Sequence, residues 1–228
     1  AGVTDVDVSE VYGLVRGYAL EGGEDARAAL QPLLLAHGVD AIEKDGTLFF
    51  RQRNGLAGRV LDTEELAEGD SGALVSRMRL PEAETSGRVR LAYVEADGDY
   101  EVRATEGSFP DEATTGVAQS ELAMSLTGGE ADNTVERWLA EARVARDTAS
   151  FALPPSSEVE AGDIIELQGD SFRIDRFEDA GVIQGEAVRV ERGLYRPGVT
   201  QDTVIATKPV AVALPVWAEV MDLPLLTG

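Results

Sequence analysis

The sequence predicts an α+β fold, mainly β. A small strand–helix–hairpin unit is expected over 1–75, and a β-barrel-like domain with one inserted helix over 76–193. An extended docking segment follows over 194–228. Three observations carry this. Short runs alternating apolar with polar recur from 74 to 190, the period-2 mark of half-buried strands at barrel or sandwich cadence. Only two stretches, Glu24–His37 and about 130–147, repeat apolar residues at helical steps. The chain has 228 residues, 43% of them hydrophobic, enough for a real core despite a net charge of −22.

The chain enters at Ala1 with apolar alternation and no methionine, so it reads as an internal piece of a longer protein. Val11–Leu20 is β-branched and aromatic, hence extended, and Gly22-Gly23 breaks it. In the helix that follows, Ala26, Ala29, Leu30, Leu33 and Leu34 form one stripe. Glu24 and Asp25 suit its N-terminus, Gly38 stops it, and Pro32 predicts a kink. Val39–Glu43 and Thr47–Arg51 flank Lys44-Asp45-Gly46, a hairpin signal. The acidic stretch Asp62–Asp70 fits either one short helix or a loop.

Strands are expected at 74–80, 88–95 and 99–104, the last two joined at Asp97-Gly98. A linker over 107–116 leads to a strand at Val117–Leu126, ended by Gly128-Gly129. The second helix, about 130–147, takes Asp132 or Asn133 as its N-cap. Further strands fall at 149–153, 163–167, 171–177 and 182–190. From Gly193 the chain loosens and finishes in an apolar tail. Trp217, Leu223, Leu225 and Leu226 are its candidate interface residues.

Composition excludes more than it assigns. With no cysteine there is no thiolate nucleophile, disulfide or Cys-ligated metal. One histidine cannot build the usual catalytic zinc site, so a metal site would need oxygen ligands alone. Asp97-Gly98-Asp99 and Asp175–Asp179 lack calcium-loop spacing and read as turns. His37, beside Gly38 at a helix end, reads as a cation near the C-terminal dipole, not as a catalytic base. No GxSxG, GxGxxG or GxxxxGK[ST] loop occurs. Acidic residues outnumber basic ones 42 to 20, and no segment offers a basic face for phosphates. No catalytic residue, cofactor or metal is expected.

Several segments, in order, resemble one family. Residues 16–53 (RGYALEGGEDARAALQPLLLAHGVDAIEKDGTLFFRQR) resemble a segment of the phage tail proteins of alphaproteobacterial prophages and gene transfer agents. Residues 88–104 look like its later strand pair. Residues 150–167, with Leu153-Pro154-Pro155 and Gly162-Asp163, resemble its most specific passage, and 214–228 its Asp-Leu-Pro-Leu-Leu segment. The resemblance implies a tail-tip or baseplate hub, a longer protein with a TIM-barrel-like region upstream. It further implies a homotrimeric ring that closes the tail tube, touches tail-tube, distal-tail and hub neighbours, and lets DNA pass without specific binding. Envelope contact and any hydrolase activity would belong to other regions. The implied location is a virion-like particle assembled in the bacterial cytoplasm. A different class, a carbohydrate-binding or cell-wall-degrading tail module, would need an aromatic–acidic cleft, and aromatics are only 6% of the chain.

Overall fold

The computed structural model describes residues 5–196 except 21, 24, 45, 70–71, 82–85, 99, 110–115 and 180. It is α+β and mainly β, with three open sheets and two helices.

The smallest sheet has the order β1-β4-β3: β1 (Asp5–Glu10), β4 (Thr47–Gln52) and β3 (Val39–Lys44). The expected hairpin forms β3 and β4, antiparallel from Val39↔Gln52 to Lys44↔Thr47. β1 joins β4 in parallel. Helix α1 (Ala26–His37) leads into this hairpin and keeps Pro32 inside it. Asp25 caps it by accepting from the Ala28 amide at 2.7 Å. Gly38 ends it at φ 63°, a left-handed conformation that glycine adopts without a Cβ penalty.

The second sheet runs β2-β9-β7-β8: β2 (Gly17–Tyr18), β9 (Val117–Leu126), β7 (Arg88–Glu95) and β8 (Val102–Ser108). β7 and β8 make the expected antiparallel hairpin, while β9 lies parallel to β7. Helix α2 (Gly128–Val144) packs Ala131, Val135 and Leu139 with Leu91, Tyr93, Leu122 and Met124 of the sheet. α1 contributes Leu33 and Ala36 to the same core.

Three expectations shift here. The strand expected over 11–20 pairs only at Gly17–Tyr18, because Val11, Tyr12, Leu14 and Val15 stay exposed. β8 runs to Ser108, into the expected linker, since Val89 and Arg88 still have partners there. α2 starts at Gly128, two residues early. Thr127 Oγ1 accepts from the Glu130 amide and Glu130 Oε2 accepts from the Thr127 amide, a capping box that displaces Asp132 or Asn133 as the cap.

The largest sheet has six strands in the order β5-β11-β12-β13-β10-β6. They are β5 (Arg59–Leu61), β11 (Ile164–Leu167), β12 (Asp170–Asp179), β13 (Ile183–Arg189), β10 (Asp147–Leu153) and β6 (Val75–Arg79). Their short-strand cadence is taken up by an open sheet with β5 and β6 at its edges, not by a closed ring of strands. Phe151, Leu153, Ile165, Leu167, Phe172 and Ile174 fill its core. Asp175 bulges out of β12 between Ile174 and Arg176. The acidic stretch from Asp62 holds one short turn, Thr63–Glu65, and then Ala67 bridges to Ala152. Residues 1–75 thus contribute strands to all three sheets.

Candidate functional site

The smallest and largest sheets and helix α2 meet at an ionic junction centred on Arg53, the residue after β4. Its Nε and Nη2 donate to Asp40 Oδ1 at 2.9 and 2.7 Å, and its Nη1 to Glu141 Oε2 at 3.3 Å. Asp40 Oδ2 accepts from Arg173 Nη1 at 3.4 Å. β3, β4, α2 and β12 are therefore tied by one network of part-buried, paired charges. Burial disfavours the Arg53 cation, but the carboxylates of Asp40 and Glu141 outweigh it and hold its pKa above the ordinary value. The Tyr195 phenol beside them is pushed up to about 12 by burial and then by Glu141.

A second set of contacts docks α2 on the end of α1. Arg137 Nη2 donates to the carbonyls of Leu35 and Ala36 at 2.9 and 2.7 Å, and Trp138 Nε1 donates to Leu35 O at 3.1 Å. Gln52 Nε2 donates to His37 O at 3.3 Å. These donors satisfy carbonyls that a helix end leaves without partners. The cation at this terminus is Arg137, which corrects the expectation for His37. Burial, and then the Arg137 charge, lower the His37 pKa and so favour its neutral imidazole. Its buried Nε2 has no hydrogen-bond partner among the described residues.

A cleft of about 480 Å³ beside the junction is lined by Asp40, Arg51, Arg53, Asp163, Arg173 and Tyr195. Within it Arg51 pairs with Glu10 and Asp163, and Asp40 with Arg53 and Arg173, which suits cohesion between sheets better than capture of an ion. Among the described residues no cluster of three or more His, Asp or Glu side chains is arranged to hold a metal ion.

Exposed apolar side chains include Val6, Val8, Tyr12 and Leu14 on the N-terminal segment, Val60 on β5, Met78 on β6, and Tyr100 and Val102 around the start of β8. Trp138 packs, partly buried, on the core between α2 and the β2-β9-β7-β8 sheet. Trp217, Leu223, Leu225 and Leu226, the expected interface, lie outside the described residues, as does the expected docking segment beyond Arg196. The junction was not anticipated from sequence. Arg53 and Asp40 are near neighbours on a predicted hairpin, and that pairing of an acid with a base was the one local signal.

Comparison with known proteins bears on this arrangement. Residues 25–177 match the model of a family described as Putative phage tail protein. A chain in the virion of a native gene transfer agent particle is 52% identical, with a TM-score of 0.83. The match covers 89% of this chain and 47% of that one, so this chain spans about half its length. A tail protein from Neisseria meningitidis MC58 shares the fold at 15% identity, with a TM-score of 0.57 over 86% of this chain and 64% of that one. No curated protein matches. With the family model spanning both helices and most of the strands, the chain belongs to the family of putative phage tail proteins.

Proposed function

We propose that the chain is a structural piece of a phage-like tail tip or baseplate hub. Three copies form a ring that closes the tail tube and surrounds the channel through which DNA leaves. Its neighbours are tail-tube, distal-tail and other hub proteins within a virion-like particle assembled in the bacterial cytoplasm. Catalysis and cofactors have no part in this role. The observation that carries it is the 52% identity to a chain of a gene transfer agent virion.

The charge supports it. A chain of net −22 repels phosphates and lets DNA slide, whereas a basic wall would hold it through counterion release. The paired junction supports it too, because a wall under load needs its sheets fixed to one another.

Light scattering over a range of concentrations tests the ring, and three times the chain mass is the expected result. A single-copy mass at every concentration overturns ring formation by this chain. Gel retention at low salt tests the wall, and no shift of double-stranded DNA is expected. Cleavage of purified peptidoglycan by this chain would overturn the purely structural reading.

A further inference from the structure

We propose that copies of this chain join head to tail, β1 of one copy pairing along its free edge with β6 of the next. The proposal rests on the ring reading above and names the surfaces that would make the ring.

Both strands end their sheets. β1 pairs only with β4 and β6 only with β10, so among the described residues each keeps one unpaired edge. An open edge of backbone donors and acceptors is a template for another strand. Val6 is 54% exposed, Val8 57% and Met78 62%, a cost in water that a partner strand would remove.

The two edges are also complementary. β1 reads Asp5-Val6-Asp7-Val8, and β6 with the residue after it reads Arg77-Met78-Arg79-Leu80. With a period of two, acids share one face of β1 and valines the other, while arginines share one face of β6 and Met78 with Leu80 the other. Set side by side in parallel, Asp5 and Asp7 meet Arg77 and Arg79, and Val6 and Val8 meet Met78 and Leu80. Run antiparallel, Val6 still opposes Met78 while Asp5 opposes Arg79 and Asp7 opposes Arg77. The match survives either direction. Arg79 has the freer hand: its side chain is 62% exposed and Asp147 lies 3.5 Å away. Arg77 is occupied within its own chain by Asp170 at 2.7 Å and by the Phe172 ring.

Charge selects the symmetry as well. Pairing β1 with β1 would set aspartates against aspartates, and β6 with β6 arginines against arginines, both destabilising. Of these three combinations only β1–β6 pairs opposite charges. A contact between two different surfaces is heterologous, and repeated it closes into a ring or runs on as a filament.

The test uses the full chain in light scattering with charge reversals on exposed residues. Asp5→Arg with Asp7→Arg, or Arg79→Glu alone, should weaken self-association about tenfold or more. Combining all three substitutions with Arg77→Glu in one chain should restore it, because every opposed pair is then again of opposite sign, which no loss of fold would do. As an independent measurement, Val6→Cys with Met78→Cys places the only two cysteines opposite each other in both directions. Oxidation should link copies to one another. Trimers unaffected by the reversals and never linked would overturn the edge pairing and leave the ring reading standing. Linked copies that form only open chains would keep the pairing and overturn the ring. A monomer that never links would overturn both.

Discussion

The guanidinium of Arg137 donates to two carbonyls of the last turn of α1 and lies against Gly38. Arg137→Met keeps the stem but removes both bonds. Ala36 O then loses this donor, while Leu35 O keeps Trp138. The expected cost is about 2 kcal/mol, read as a lower urea midpoint at unchanged slope. His37 gives a second prediction, with a definite sign. Its folded pKa lies below the ordinary value of 6.5, chiefly through burial. Below about pH 6.5 the unfolded chain therefore binds the proton more readily, and stability falls as pH falls through that value. Asp7, held low by the Ser9 amide, and Glu65, held low by Arg59, stay ionised at that pH and add no slope. His37→Gln should flatten the decline between pH 7 and 5.5. Arg137→Met should shrink it, because the Arg137 charge is the second cause of the shift. An unchanged slope in the glutamine variant would place the titrating group elsewhere.

Elements in this chain are held by small, specific devices. Thr127 is 1% exposed and closes the α2 capping box, so Thr127→Ala should cost about 1 kcal/mol and lower helix content at the N-terminus of α2. Gly185 on β13 lies under the Phe151 and Phe177 rings, which meet edge to face. A Cβ there would come within 2.7 Å of Phe151 and 2.9 Å of Phe177, so Gly185→Ala should cost about 1–3 kcal/mol by overpacking. Thermal unfolding measures both, and a neutral Gly185→Ala would mean the rings move apart freely. What the sequence revealed at this scale was local. The β3–β4 and β7–β8 hairpins have turn residues between their strands, and α1 has its stripe and stop glycine in one short window. The parallel pairs β1–β4, β5–β11 and β7–β9 were hidden, because such strands are joined by long connections that leave no turn signature. The junction was hidden for the same reason: Asp40 and Arg173 are 133 residues apart, and no spacing motif reaches that far.

At the scale of the molecule two electrostatic terms of opposite sign compete. Net charge of −22 makes the compact state repel itself, an effect that reaches about 30 Å at 0.01 M salt and about 8 Å at 0.15 M. The ion pairs that tie the sheets at Arg53 work over 2.7–3.4 Å in a part-buried setting, where salt screens them far less. Added salt should therefore remove the repulsion before it weakens the junction. The melting temperature should rise by about 3 °C between 10 and 300 mM sodium chloride, corresponding to about 1 kcal/mol for a chain of this size. Arg53→Met should lower stability at every salt concentration while leaving the rise intact, since it removes a short-range tie and makes the net charge more negative. A melting temperature that falls with salt would mean that exposed pairs such as Arg59–Glu65 and Arg88–Glu106 carry the stability. In that case the exposed pairs, and not the repulsion of the acidic excess, would set the salt response.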